Sequence, residues 1–320
     1  MGVVFRARDI RLGRTVALKM LPVELTRDPE RRRRLALEAR AASALSHPNL
    51  ATVFDFEERG EDIFVVYEFV EGTTLREQLR KSRWTTEMIL EVATQLADAL
   101  ATAHEHGVVH RDLKPENIML KQDAARSGPV KILDFGLAKI RKPLSQEPLA
   151  AGSQADTTPV STATGTLVGT VNYMAPEQLE GEAADGRTDV YSLGLVLYEM
   201  AAGLNPFVGK TAPSTIANIL KQEARPVRDS NPAAPTELDR ILLKCLRKRR
   251  DERYQSAREL QADLAHLRRE LSQPSGTIEN RAAGPRDLAP GIVAPGPARD
   301  RKSTRLNSSH IQKSRMPSSA

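Results

Sequence analysis

Cysteine is nearly absent from this chain. A single residue, Cys245, occurs among 320 positions. No intrachain disulfide can form, and stability has to come from a packed core. That usage suits a reducing compartment. Aromatic residues are scarce as well, at 4 % of the sequence. They do not alternate with Lys and Arg as they do in nucleic-acid grooves, which argues against nucleic acid as a partner. The net charge is +6, but 41 acidic residues are interspersed with 47 basic ones. No apolar run reaches the ~20 residues of a membrane span, and no charged-then-apolar leader opens the chain. The expected location is the cytoplasm. No histidine has a cysteine or third histidine at ligand spacing, so zinc is not expected.

What is present is 40 % hydrophobic content, enough for a sizeable core. It is arranged in two styles. Up to about residue 70 the patterns are strand-like. "GVVFRARD" and "VALKML" flank a turn at "RLGRT", and "ATVFDF" and "DIFVVYEF" flank "EERGE". Between them, residues 29–46 have helical spacing, with Leu35, Ala39, Ala42 and Leu45 near one face. Pro29 suits the first turn. The run Arg31–Arg34 reads as the wet face of this helix rather than a nucleic-acid patch. Beyond about residue 71 the patterns are mostly helical, over 86–107 and near 189–202, 214–222, 235–246 and 256–271. Two short strands, "NIML" and "VKILDF", interrupt them. This predicts an α+β chain, with a small antiparallel-sheet lobe over 1–70 and a larger helical lobe over 71–272. Residues 137–169 are rich in Pro, Ser, Thr, Gly and Ala and read as a long loop. Residues 273–300 form a Pro/Gly/Ala-rich linker that cannot bury enough to order itself. The polar stretch 301–320 reads as a disordered or non-native tail.

One short stretch carries an unusual order of charges: "HRDLKPEN", residues 110–117. Asp112 follows a pair of valines, and Asn117 lies five positions on. Asp134 and Gly136 close the "VKILDFG" strand. Two oxygen ligands at separate strand ends, Asn117 and Asp134, suit a hard divalent cation. Asp112 is then left for an acceptor hydroxyl, and Lys114 for neutralising phosphoryl oxygens. Lys19 closes the "VALK" strand. Glu38 lies beside the apolar stripe of the first helix, where a carboxylate wants a cation. Lys19 is the candidate for that cation and for holding phosphate oxygens.

The ordered set "GVV", "VALK", Glu38, "HRDLKPEN", "DFG" and "APE" resembles the protein-kinase superfamily over residues 2 to about 271. "HPNLATVFDF" and "NYMAPEQL" are similar to bacterial serine/threonine kinases of eukaryotic type. The resemblance implies a two-lobed fold and transfer of the γ-phosphoryl of ATP to Ser or Thr of proteins, with Mg2+, or Mn2+ as a substitute. By the resemblance, Gly2 belongs to the nucleotide-covering loop, and Val4 and Ala17 roof the adenine. Tyr67 is the gatekeeper, and Glu68 and Val70 offer hinge backbone groups. Lys19 and Glu38 act with Asp112 and Lys114 in catalysis, and Asn117 and Asp134 hold metal. His110 braces the catalytic loop, and Phe135 and Gly136 complete the "DFG" triplet. Arg111 meets a phosphate on the loop between Asp134 and Glu177. Glu177 pairs with Arg253, and Asp189 holds the catalytic-loop backbone. Lys114 and Thr170 stand where serine/threonine kinases have them.

Within that loop, Thr157, Thr158, Ser161, Thr162, Thr164 and Thr166 form a hydroxyl-rich tract. Autophosphorylation at Thr162 or Thr164, in trans between transiently associated copies, is the expected regulation. Related kinases often continue into a membrane span and a sensor domain, so an inner-membrane anchor further along is part of the expectation. The chain departs from the family in two places. Only the last glycine of the nucleotide-covering loop, Gly2, is present, and the first strand is missing. This predicts weak ATP binding and slow transfer, and it keeps a catalytically weak binding module as the alternative. Arg249 stands where relatives usually have proline.

Overall fold

The computed structural model describes residues 3–22, 27–60, 62–121, 129–135 and 171–273. The fold is the expected one, a small antiparallel sheet followed by a larger helical lobe. The first four strands are β1 (Val3–Asp9), β2 (Arg14–Met20), β3 (Val53–Arg59) and β4 (Asp62–Glu68). They lie side by side in the order β1-β2-β4-β3. The register pairs Val4 with Lys19 and Lys19 with Val65, and it pairs Ala17 with Tyr67. Cross-strand partners share a face. Val4, Ala17, Lys19 and Tyr67 therefore lie on one side of the sheet, which is what a common ligand roof requires.

Helix α1 (Pro29–Ser43) follows β2. The Asp28 side chain caps it by accepting from the Glu30 amide, and Pro29 occupies its first turn, as its fixed φ favours. Leu35, Ala39 and Ala42 are buried. In the basic run, Arg33 and Arg34 are exposed, and Arg32 donates to the Gly60 carbonyl at 2.9 Å. Arg33 and Arg34 thus face water and Arg32 a turn, as the amphipathic spacing implies.

After β4 the chain crosses to the helical lobe. It forms a second sheet from β5 (Gly72–Thr74), β6 (Ile118–Lys121) and β7 (Val130–Ile132). Gly72 has φ +155°, and a Cβ there would lie 2.1 Å from the Leu120 carbonyl oxygen, so only glycine fits. The helices are α2 (Leu75–Lys81), α3 (Thr86–Glu105), α4 (Pro176–Glu180), α5 (Gly186–Ala202), α6 (Ala212–Lys221), α7 (Thr236–Cys245) and α8 (Ala257–Ser272). Helices α3 and α5 are the lobe's interior. Leu96, Leu100, Leu193 and Val196 have no exposed surface. The α5 helix can run close to α7 because Gly194 faces Cys245. Among the described residues no helix is long and apolar enough to cross a membrane.

Strand β7 stops at Ile132, short of the expected run through Gly136. The Leu133 amide turns to the Asn117 carbonyl at 2.8 Å, and Asp134 takes a left-handed φ of +55°. Backbone hydrogen bonding to the sheet ends because the chain bends to present Asp134.

Candidate active site

The segment 110–117 links α3 to β6, and each of its charges has a defined partner. The Leu133 carbonyl can only accept, so His110 donates to it through Nε2, at 2.8 Å. That tautomer leaves Nδ1 to accept the Asp112 amide at 3.2 Å. The His110 ring also packs edge-on against Phe135, with centroids 4.9 Å apart. Arg111 has φ +62°, an uncommon conformation for a side-chain-bearing residue. Asp189, wholly buried on α5, holds it there: one carboxylate oxygen accepts the Arg111 amide at 2.8 Å, and the other accepts the His110 amide at 2.7 Å. His104 on α3 shares the second oxygen at 2.8 Å. Strain of about 1–3 kcal/mol per residue persists only where surroundings over-determine it.

Asp112 is thereby aimed out of a rigid loop. Its carboxylate accepts from Lys114 Nζ at 3.0 Å, and its carbonyl accepts from Asn117 Nδ2 at 2.8 Å. Because the amide NH2 of Asn117 is engaged there, its oxygen is the end turned elsewhere. The Leu133–Asn117 bond sets Asn117 beside the segment that presents Asp134. From the sheet, Lys19, 8 % exposed, reaches Asp134 Oδ2 at 2.8 Å. The strand-borne amine pairs with Asp134, and Asn117 links the segment of Asp134 to Asp112, so the three charges gather where the two lobes meet.

One expected pairing is not formed. Glu38 does not meet Lys19; it accepts from Arg111 at 3.0 Å, while Lys19 pairs with Asp134. Helical and strand spacing put Glu38 and Lys19 on suitable faces, but one other cation, Arg111, takes Glu38 and one other carboxylate, Asp134, takes Lys19. Glu38 Oε2 is buried without a hydrogen-bond partner among the described residues. Tyr67 lines the same region, 5 % exposed, and its hydroxyl also lacks a described partner. Burial, helped by the charge of Asp134, pushes that phenol well above its ordinary range. Val4 is half exposed on β1, and Val70 is buried just after β4. Glu68 ends β4 with its amide on the Thr52 carbonyl. Gly2, Gly136, Thr170 and the threonine tract including Thr162 and Thr164 lie outside the described residues.

Below the cleft, Arg253 donates two hydrogen bonds of 2.9 Å to Glu177, with both residues 2 % exposed. Burial pushes the Glu177 carboxyl up, but the Arg253 guanidinium outweighs this and holds it below its ordinary value. Gln178, next to it, donates to the Arg111 carbonyl at 2.8 Å and so ties α4 to the 110–117 segment.

The sequence reading missed a second cluster. Arg76 on α2 donates to Glu116 at 2.8 Å and to Glu199 at 2.6 Å, and it also bonds Tyr173. This joins α2, the 110–117 segment, the segment before α4, and α5. Only Glu116 carried a sequence signal, as the acid inside "HRDLKPEN".

Comparison with known proteins agrees with this architecture. Residues 1–264 match the protein kinase domain family. A probable serine/threonine-protein kinase of Streptomyces coelicolor is 38 % identical over 272 residues, covering 82 % of this chain and 37 % of that protein. The serine/threonine-protein kinase PknB of Mycolicibacterium smegmatis is also 38 % identical over 272 residues, covering 83 % of this chain and 41 % of its own length. The crystal structure of the Mycobacterium tuberculosis PknI kinase domain superposes with a TM-score of 0.62 at 25 % identity, covering 83 % of this chain and 91 % of that one. The chain spans about two fifths of the length of these two curated relatives. On the family match, the identity to kinases and the two-lobed fold, this chain belongs to the protein kinase domain family.

Proposed function

We propose that the chain transfers the γ-phosphoryl group of ATP to Ser and Thr hydroxyls of proteins. The observation that carries this is the convergence of Lys19 from the sheet with Asp134 from the helical lobe, at 2.8 Å, where Asn117 also ties in Asp112. Lys19 would hold phosphate oxygens. Asp112, steadied by the amide contact to His110, would orient the acceptor hydroxyl and take its proton. Lys114, bonded to Asp112 at 3.0 Å, would neutralise phosphoryl oxygens as charge moves onto them. Kinase domains use ATP with Mg2+. The donors here fit such an ion: a carboxylate on Asp134 and an amide oxygen on Asn117, hard oxygens with room for phosphate as the remaining ligands. When bound, the ion would screen the phosphate charges; Mn2+ would serve in its place. The backbone at Glu68 and Val70 would meet the adenine edge, under Val4 and Ala17 and beside Tyr67.

The pairing of Glu38 with Arg111 fits a resting arrangement. A phosphate on Thr162 or Thr164 would compete for Arg111 through charge-assisted hydrogen bonds and release Glu38 toward Lys19. Trans-autophosphorylation between transiently paired copies would supply it. The binding-module alternative is disfavoured by the complete set of Lys19, Asp112, Asn117 and Asp134. The test is transfer of label from γ-labelled ATP to a Ser/Thr-rich acceptor protein. We expect Asp112→Asn to lower kcat by about 10²–10⁴-fold. Label transfer that is indifferent to Asp112 would refute the assignment.

A further inference from the structure

The strand that leads to Asp134 carries a second buried charge. Lys131, central in β7, is 7 % exposed. Its amine donates to Glu68 Oε2 at 2.7 Å and to the Leu50 carbonyl at 3.0 Å. The same Glu68 oxygen accepts the Thr52 amide at 3.3 Å. Leu50 and Thr52 belong to the connection between α1 and β3, and that connection is laced to β7 throughout. The Ala51 amide donates to the Ile132 carbonyl at 2.9 Å, and the Ile132 amide to the Asn49 carbonyl at 2.8 Å. The Asn49 side chain donates to the Val130 carbonyl at 2.8 Å and to Gln95 on α3 at 2.8 Å.

Lys131 is buried and the Glu68 side chain is 23 % exposed, so the ammonium is largely removed from water and the carboxylate partly. For such a pair an apolar replacement of equal volume would often stabilise as much. Stability alone therefore does not explain the pair. Its position offers a reason. Glu68 closes β4 at the single covalent crossing between the lobes, the segment assigned above to the adenine edge. Lys131 stands three positions before Asp134, the acid assigned to the phosphate end. One ion pair joins these two segments.

We infer that Lys131 is a positioning residue for ATP, its bond to Glu68 fixing the spacing between the adenine and phosphate ends of the site. The inference rests on the kinase reading above. Lys131 reaches the adenine end only through the Glu68 side chain, not through the backbone groups assigned to nucleotide; it holds that carboxylate against the strand that leads to Asp134. Without it the Glu68 carboxylate and the Leu50 carbonyl lose their shared donor, and the crossing segment can shift relative to Asp134.

The experiment measures Mg-ATP affinity of the full chain by displacement of a fluorescent ATP analogue, alongside steady-state kinetics and thermal unfolding. Lys131→Met should weaken ATP binding about tenfold, the scale seen when a supporting contact behind a site is lost. KM for ATP should rise in step, and KM for the acceptor protein should stay unchanged. Lys131→Arg should restore most of the affinity. The apolar pair K131M/E68L should regain thermal stability without regaining ATP affinity, and Glu68→Gln, which keeps the side-chain volume, should weaken ATP binding in the same direction. Unchanged or tighter binding in Lys131→Met would overturn the inference. So would affinity that recovers together with stability in the apolar pair. A native chain that binds no ATP would overturn the kinase reading along with it; native binding with an unaffected Lys131→Met would overturn this inference alone.

Discussion

At the scale of single residues, the site is a set of charges with more partners than one arrangement can satisfy. Glu38 and Arg111 are each about one-third exposed, at 31 % and 36 % of their side chains. An ion pair that open is worth about 0–1 kcal/mol. Breaking it is cheap, which suits the exchange proposed above. Glu38→Ala is therefore expected to change the thermal midpoint by no more than the equivalent of about 1 kcal/mol, yet to lower kcat by at least an order of magnitude. Parallel calorimetry and kinetics check both halves. Tyr67 makes the opposite case. Its buried hydroxyl lacks a described partner, so Tyr67→Phe removes a desolvated group and should raise stability by about 1 kcal/mol in denaturant titration.

At the scale of elements, the buried pair between Glu177 at α4 and Arg253 before α8 is of a different kind. Both side chains are nearly inaccessible. Removing one partner strands the other charge, and Arg253→Met should cost about 3–5 kcal/mol in urea unfolding. The pH dependence follows from the Glu177 carboxyl, which folding holds below its ordinary value of 4.5. A depressed carboxyl contributes stability that is fully present above 4.5 and is lost as pH falls through its folded value. Unfolding midpoints of the native chain should accordingly drop below pH 4.5, and Glu177→Gln should flatten that part of the profile. Helix packing gives a second check. A Cβ on Gly194 would stand 2.6 Å from Cys245 Cβ, inside contact distance. Gly194→Ala should force α5 and α7 apart and cost about 1–3 kcal/mol.

At the scale of the whole molecule, the two lobes are joined at the cleft by charge as well as by chain. Lys19 of the sheet meets Asp134 of the helical lobe, and Glu38 of α1 meets Arg111 of the 110–117 segment. On the kinase reading, Lys19 and Asp134 both serve the phosphate end, so nucleotide binding would have to rearrange their bond. Chelating Mg2+ should therefore stop label transfer entirely and leave the thermal midpoint of the nucleotide-free chain unmoved, because Lys19 already supplies a cation to Asp134. Filter binding and calorimetry with and without chelator test this.

Much of this protein is set by local sequence. Alternation in "VALKML" and "DIFVVYEF" gives strands, and apolar spacing in 86–107 and near 189–202 gives the two central helices, because side-chain direction repeats every 2.0 or 3.6 residues. The charged residues of 110–117 were legible as a chemical loop from their order alone. What tertiary structure decided is which charge meets which. Lys19 takes Asp134 and Glu38 takes Arg111; Lys131 takes Glu68, and Arg76 gathers Glu116 and Glu199. None of these pairs shares an element or a period, and an ionic contact has no sequence spacing of its own. It forms wherever packing of the apolar faces happens to bring opposite charges together out of water.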